Sequence, residues 1–194
     1  DLGANTDCSA AQLHQFALMG LALALSEGIT KPRVALLNIG VENGKGNEQV
    51  KAAAALFGAD SQLHYCGFVE GDTLFSGDAD VVVCDGFTGN VALKVCEGTA
   101  HLIAGKMRRQ FMRNQWTKIA AFFARPVLGR LYHELDPQQY NGACLLGLQG
   151  IVFKCHGNST ASGFENAIAR AVNAAEKNLT DLIAQQLQHV AKSA

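Results

Sequence analysis

Apolar residues recur at two different rhythms along this chain, and the switches between them mark its elements. Between positions 9 and 27, Leu13, Phe16, Ala17, Leu21 and Ala24 keep helical spacing behind Ser9 and Gln12, which are placed as a capping box. Gly28 follows as a C-terminal stop, so the spacing predicts a helix over 9–27. The run "RVALLN" is short, continuous and apolar, the pattern of a strand buried on both faces. A second helix is predicted over 47–57, with Asn47 as N-cap and Gly58 as terminator. "QLHYCG" and "DVVVCD" read as two further strands around the turn-rich "EGDTLFSGDA". Strand–helix–strand alternation at this spacing calls for a parallel sheet covered by helices.

From about Asn90 the rhythm becomes that of long helix, through "VALKVCEGTAHLIAGKMRRQFMRNQWTKIAAFFAR", with a break expected at Pro126. "CLLGL" and "GIVFKC" read as two strands in close succession. A last helix is expected from Ser162 to Val190, with Phe164, Ala167, Ile168, Ala171 and Ala175 on one side. The pattern contains no internal repeat and no low-complexity linker. The expected architecture is a single α/β domain over 1–194. It is a three-layer α/β/α sandwich with a mainly parallel sheet, carrying a helical hairpin excursion over 95–135.

Composition narrows this picture in three ways. At 194 residues, 48% of them hydrophobic, the chain can bury one substantial core. No apolar run reaches the roughly 18 residues a membrane span needs, and no signal segment opens the chain. The six cysteines form no CxxC pair and read as buried thiols of a reducing cytoplasm, and no Cys or His spacing suits zinc. The first residue is Asp1 rather than Met, and "DLGAN" reads as a turn that follows a strand. The expectation is therefore a C-terminal portion of a longer chain, with a boundary chosen for expression as the plain alternative. The net charge of -1 conceals an uneven layout: residues 98–133 carry 7 bases and no acid, whereas residues 1–97 carry 12 acids and 5 bases.

Three loops carry candidate chemistry. "NIGVENGKGNE" (38–48) sets Lys45 among glycines between a strand and a helix. A P-loop needs four residues between its glycines and a hydroxyl after its lysine. Here Gly40 and Gly44 are separated by three residues, and Gly46 follows Lys45. A dinucleotide fingerprint is absent too. What remains is a flexible loop with one cation opening onto a helix N-terminus, which attracts a small anion. A Gly-rich connection with a solvated lysine is the plain alternative.

The second loop, "CDGFTGNVALK" (84–94), offers free backbone N–H groups and the Asn90 amide for an oxyanion or a substrate carbonyl. Capping and turning by Asp85 and Asn90 is its alternative. The third, "KCHGNSTASG" (154–163), carries His156, whose pKa class suits proton transfer, followed by small polar residues at a helix start. The other histidines, at 14, 64, 101, 133 and 189, are read as structural. If all three loops leave the carboxyl ends of one parallel sheet, Lys45, Asn90 and His156 meet in one crevice.

"DLGAN" at 1–5, "LLNIGVENGKGNE" at 36–48, "DVVVCDGFTGNVALK" at 80–94 and "HGNS" at 156–159 resemble the bacterial phosphate acyltransferase family, PlsX, along essentially all of the chain. The resemblance implies a fold similar to isopropylmalate dehydrogenases and phosphotransacetylase, a homodimer, and no cofactor. It implies conversion of a fatty acyl group on acyl-carrier protein, plus inorganic phosphate, into acyl phosphate and free carrier protein. That product feeds a membrane acyltransferase of phospholipid synthesis. The Ser-Arg pair of phosphotransacetylase is missing, so its anion contacts are not carried over.

Phosphate is already a nucleophile, so this reaction requires positioning and oxyanion stabilisation rather than a metal or a Ser-His-Asp set. Lys45, Asn90 and His156 are the expected catalytic residues. Asn38, Gly40, Gly44, Gly46, Asn47, Asp85, Gly86, Thr88, Gly89, Asn158 and Ser159 are the expected phosphate or substrate contacts. An acyl-coenzyme A enzyme of the phosphotransacetylase type and a non-catalytic membrane or partner-binding module are the alternatives.

In the basic segment, Arg108, Arg109, Arg113 and Lys118 interleave with Trp116, Phe122 and Phe123. A helical wheel puts Met112, Trp116, Ile119, Ala120 and Phe123 on one stripe, with Lys118 and Arg125 roughly opposite. That surface suits a dimer mate, an interfacial membrane contact or the acidic face of acyl-carrier protein. It makes the protein cytoplasmic and peripherally membrane-associated. Nucleic acid is disfavoured, because the rest of the chain is acidic and no recognition motif appears.

Overall fold

A computed structural model describes residues 1–134 and 142–191. Helix α1 (Ala10–Ser26) starts as its capping signal requires: the Ser9 hydroxyl accepts from the Gln12 N–H, and the Gln12 side chain accepts from the Ser9 N–H. Strand β1 (Arg33–Leu37) leads through the Gly-rich loop to α2 (Glu48–Ala59), whose N-cap is Asn47. Helix α2 runs through Gly58, which therefore is not its terminator. A glycine costs a helix only about 1 kcal/mol, and the burial of Phe57 in the last turn outweighs that.

Strand β2 (His64–Val69) and strand β3 (Val81–Val83) both pair in parallel with β1, in the order β2-β1-β3. Tyr65 pairs with Val34 and Phe68 with Leu36, so β2 carries one extra residue, a bulge in which Gly67 adopts φ +94°. Val34, Leu36 and Val83 face a core shared with Leu13, Ala17, Leu18 and Leu21 of α1 and with Ala53 and Phe57 of α2. The parallel sheet and its helical cover are the expected α/β class.

The cysteines depart from expectation. Only Cys8 is buried; Cys66 is exposed and the rest are half-buried, all as free thiols. Cys66 lies on edge strand β2, next to Tyr65 and thus on the face turned away from the core, so an apolar run there does not mean two-sided burial.

After β3 come α3 (Gly86–Phe111) and α4 (Gln115–Glu134), an extended hairpin in which, among the described residues, only Gly86 and Gly89 of α3 are buried. The break falls at Met112–Asn114, where the Asn114 side chain accepts from the Thr117 N–H, and not at Pro126, which sits inside α4. On this exposed helix the Phe122 carbonyl freed by proline can be hydrated, which lowers the cost of continuing. Position 135, the expected end of the excursion, lies outside the described residues, as do the side chains of His133 and His189.

The two late strands are shorter than expected. Strand β4 (Ala143–Cys144) and strand β5 (Phe153–Lys154) form a separate antiparallel pair. They pack with α1 and α6 around Ala22, Leu179 and Ile183. The single last helix is in fact two, α5 (Ala161–Glu176) and α6 (Leu179–Ala191). Asn178 at φ +50° turns the chain between them, a left-handed conformation asparagine tolerates. The Lys177 ammonium donates to the Ser26 carbonyl at 2.5 Å and ties this turn to the end of α1.

Candidate active site at the carboxyl edge of the sheet

Because β1, β2 and β3 are parallel, the loops that leave them begin on one edge. Two of these loops open helices there, and α1 starts beside them. The Ala10 N–H at the start of α1 donates to the Gln49 side chain in the first turn of α2 at 2.8 Å. The Gly86 N–H at the start of α3 donates to the Asn5 carbonyl at 2.7 Å, just upstream of α1. Three helix N-termini thus gather at this edge, each bringing partial positive charge.

The Gly-rich loop is held at its base by Asn38, which is buried. Its side-chain oxygen accepts from the Ile39 N–H at 2.9 Å, and its amide donates to the Lys45 carbonyl at 3.3 Å. Gly46 has φ +91°, and a side chain there would run into the Asn38 amide. Gly40 is crowded in the same way: a Cβ would meet Glu42 Oε2 at 2.8 Å and Lys45 Cγ at 2.9 Å. The glycines at 40 and 46 therefore let the loop fold tightly, with Lys45 and Glu42 lying over Gly40 and the Lys45 side chain exposed. Gly44 has open space around it. Asn47 is committed to capping, accepting from the Val50 N–H at 2.9 Å.

The second loop differs from expectation in its donors. Asp85 caps α3, accepting from the Thr88 N–H at 2.7 Å and the Thr88 hydroxyl at 3.0 Å. The Gly86 N–H goes to Asn5, and the Gly89 N–H to the Asp85 carbonyl. The N–H groups expected to be free are thus largely spent, because an aspartate cap and an upstream carbonyl satisfy them first. What this loop presents instead is the Asn90 side chain, half-buried against Gly3, whose built Cβ would lie 3.6 Å from Asn90 Cγ.

Gly3 belongs to the turn "DLGAN", and that turn is a part of the site the chemistry-first reading passed over. The Asp1 carboxylate accepts from the N–H groups of Gly3, Ala4 and Asn5 at 2.9 Å each and from the Asn5 amide at 2.8 Å. Its backbone nitrogen donates to the Cys84 carbonyl. The signal was legible: an aspartate two residues before a glycine is a turn-forming pattern.

Third comes the His156 loop. Its strand, β5, belongs to the antiparallel pair and not to the parallel sheet, so the rule that joins parallel strand exits does not reach it. His156 Nδ1 accepts from the Asn158 N–H at 3.3 Å, and the Ser159 hydroxyl donates to the His156 carbonyl at 2.5 Å. Thr160 caps α5, accepting from the Gly163 N–H. These bonds set a compact turn with the imidazole on an exposed surface.

Two thiols border the edge. Burial pushes the pKa of both Cys8 and Cys84 upward, which leaves them poor nucleophiles. Among the described residues, no group of three or more His, Cys, Asp or Glu side chains is arranged to hold a metal ion. A shallow hollow lined by Leu21, Leu25, Pro32 and His64 lies at the opposite edge, beside the starts of β1 and β2.

A parallel sheet whose exit loops hold a folded lysine and a half-buried carboxamide defines an α/β protein with a polar site at its carboxyl edge. The chain belongs to the family of fatty acid synthesis proteins, whose model matches residues 1–182. It is 53% identical over 188 residues to a phosphate acyltransferase of Pseudomonas savastanoi pv. phaseolicola, covering 97% of this chain and 55% of that protein. It is 54% identical over 189 residues to one of Alkalilimnicola ehrlichii, with 97% and 55% covered. It is 51% identical over 191 residues to one of Halorhodospira halophila, with 98% and 56% covered. The chain spans about half the length of the curated relatives it matches.

Proposed function

We propose that this chain is the phosphate-handling portion of a phosphate acyltransferase. A phosphate oxygen attacks the thioester carbonyl of a fatty acyl group on acyl-carrier protein. The C–O bond forms, the C–S bond breaks, and the pantetheine thiolate leaves, giving acyl phosphate and free carrier protein. Lys45 holds phosphate and the charge that develops on the tetrahedral intermediate, and Asn90 donates to the thioester carbonyl. Gly40, Gly44 and Gly46 let the Lys45 loop close on the anion. Asn38 braces it, and Asp85, Gly86, Thr88 and Gly89 set the first turn of α3 so that Asn90 is presented. His156, positioned by Asn158 and Ser159, moves the proton between phosphate and thiolate.

The observation that carries this reading is the pairing of a half-length match to proteins named phosphate acyltransferases with Lys45 and Asn90 on loops that leave adjacent parallel strands. The test is an assay of the protein joined to the remainder of its length, with phosphate and either acyl-carrier protein or coenzyme A thioesters. Phosphate-dependent thiol release from the carrier-protein donor supports the proposal. Release only from acyl-coenzyme A would move the protein to the phosphotransacetylase type, and no release from either would leave a binding module.

The hairpin extends the proposal to membranes and partners. No helix among the described residues is long and apolar enough to cross a membrane. Arg108, Arg109, Arg113 and Lys118 are exposed beside Phe122, Phe123 and Trp116, the last 81% exposed. Among the described side chains of α4 the half-buried ones are Thr117, Ala121, Ala124 and Leu128, while Trp116, Ile119 and Phe123 are exposed. Such a surface supports a homodimer contact along the hairpin, with its basic tip resting on anionic lipid near the membrane acyltransferase that consumes acyl phosphate. It gives a cytoplasmic, peripherally bound enzyme in which 1–194 is one α/β domain and the hairpin its excursion.

A further inference from the structure

The turn at 1–5 lies on the first turn of α3, directly beside Asn90. Gly86 and Gly89 form the floor under it. A Cβ at Gly86 would meet the Asn5 carbonyl oxygen at 2.6 Å and Gly3 Cα at 3.0 Å, and one at Gly89 would run into the Asp1 carbonyl oxygen. The Gly86 N–H bonds the Asn5 carbonyl, and the Cys84 thiol donates to the Asp1 carbonyl at 3.5 Å. Gly3, at φ +127°, is the residue of the turn that faces Asn90. A Cβ built on it lies 3.6 Å from Asn90 Cβ and Cγ and 3.8 Å from Asn90 Oδ1. The backbone of this turn is thus one wall of the space in which the Asn90 carboxamide sits.

One side chain holds that wall in shape. Each Asp1 carboxylate oxygen accepts twice: Oδ1 from the Gly3 and Ala4 N–H groups at 2.9 Å each, Oδ2 from the Asn5 N–H at 2.9 Å and the Asn5 amide at 2.8 Å. Four donors converging on two oxygens require a carboxylate. A carboxamide at position 1 offers one acceptor oxygen and turns its own N–H groups toward the other pair of donors. Resting on the function proposed above, we infer that Asp1 is a positioning residue for the thioester carbonyl. Its carboxylate sets the backbone of the turn, Gly3 of that turn sets the Asn90 carboxamide, and Asn90 donates to the carbonyl. Asp1 needs no contact with either reactant. An oxyanion donor works by being fixed before charge develops, and a misplacement of about 1 Å costs up to roughly 10²-fold in rate. Lys45 stands on a different loop, braced by Asn38, so phosphate binding does not pass through Asp1.

A double-mutant cycle on the full-length protein tests this, with thiol release from the acylated carrier protein measured over a range of phosphate concentrations. Asn90→Ala should lower kcat roughly 10²–10³-fold, as removal of an oxyanion donor does. Asp1→Asn should lower kcat about 10- to 100-fold and leave the KM for phosphate unchanged. Added to Asn90→Ala, the same change should cost less than about twofold further, because the group it positions is gone. An aspartate that only supports the fold would instead lower both backgrounds by one common factor. That result, or near-normal kcat for Asp1→Asn beside an impaired Asn90→Ala, overturns the inference and leaves the proposed function standing. Near-normal kcat for Asn90→Ala removes Asn90 from the mechanism and Asp1 with it. Absence of phosphate-dependent release by the wild type removes the proposed function and this inference together. A circular dichroism spectrum matching the wild type shows that Asp1→Asn is folded. If it is not, Asp1→Glu, which keeps both acceptor oxygens but shifts them by one methylene, takes its place with the same outcomes.

Discussion

The side chain of Asn38 spans the mouth of the Gly-rich loop, donating to the Lys45 carbonyl at 3.3 Å while its oxygen occupies the space beside Gly46. This one amide sets the position of the lysine backbone, and it can do so only because residue 46 has no side chain. Gly46→Ala should therefore destabilise the protein by about 1–3 kcal/mol, from the strain of a left-handed residue together with displacement of Asn38. Gly44→Ala, with open space around it, serves as the control and should change little. Urea unfolding of both variants checks the pair. Equal stability would mean that Asn38 does not brace the loop.

Lys45 itself is exposed, so its removal should leave the fold intact while removing the charge proposed to meet phosphate. Lys45→Ala is expected to lower turnover roughly 10²–10³-fold, about 2.7–4 kcal/mol of transition-state stabilisation, by analogy with a lost oxyanion donor. Near-normal turnover at saturating phosphate would take Lys45 out of the mechanism.

At the hairpin tip, Arg108 and Arg109 stand in the last turn of α3. Replacing both by glutamate should weaken sedimentation with phosphatidylglycerol vesicles at least tenfold at low salt, since each basic residue near an anionic surface contributes about 1 kcal/mol. The same change removes favourable charges from a helix C-terminus, so the thermal melt is recorded alongside to separate unfolding from lost attraction. Undiminished binding to both vesicles and carrier protein would end the assignment.

Arg33 and Asp80 tie the starts of β1 and β3 together. Arg33 Nη2 donates to Asp80 Oδ1 at 2.9 Å, its Nε to Asp80 Oδ2 at 3.0 Å, and its backbone N–H to the same Oδ2 at 2.7 Å. Bonds from Arg33 bring the Asp80 pKa down to about 2, from the ordinary 3.8. A carboxylate whose folded pKa is depressed stabilises the native state above its unfolded value and loses that contribution as pH falls through the folded one. The difference in urea midpoint between the wild type and Asp80→Asn should be constant above about pH 4 and shrink between pH 4 and pH 2. A difference that does not change across that window would mean that the carboxylate is unpaired in solution.

Tyr65 offers an opposite case. Its hydroxyl is buried with no hydrogen-bond partner among the described residues, and burial pushes its pKa up to about 12. Leaving a buried hydroxyl unpaired costs about 1–3 kcal/mol, so Tyr65→Phe should be neutral or stabilising by up to about that amount. The ring, edge-on to Phe57 at 5.4 Å, is retained. Here the folded pKa is raised, so stability is full below the unfolded value of 10.0 and falls as pH rises through 12. Tyr65→Phe should remove that part of the alkaline slope, and a slope left unchanged would place the hydroxyl in water.

Local rules sufficed wherever a helix start depends on neighbours in the chain. The Ser9–Gln12 capping box, the Asn47 cap and the β1–α2 rhythm needed nothing beyond a few adjacent residues, and the structure has them. The loop glycines read from the sequence as a flexible connection; that a Cβ at Gly40 or Gly46 would meet Lys45 or Asn38 is visible only in the fold. Pro126, Gly58 and Asn178 were harder, because the outcome there is set by how exposed or how well packed the surrounding turn is, and sequence spacing does not carry that quantity.

What only the tertiary structure decided is which groups are already spoken for and which strands share an edge. The Asn5 carbonyl that takes the Gly86 N–H is distant in sequence, and so is the Asp80 that pairs with Arg33. The chain alone could not assign β5 to an antiparallel pair apart from β1, because strand pairing is a choice among partners far apart along it. Residue types and local periodicity determine which elements exist and where they begin; the competition of each donor for every acceptor within reach is resolved only when the chain is folded.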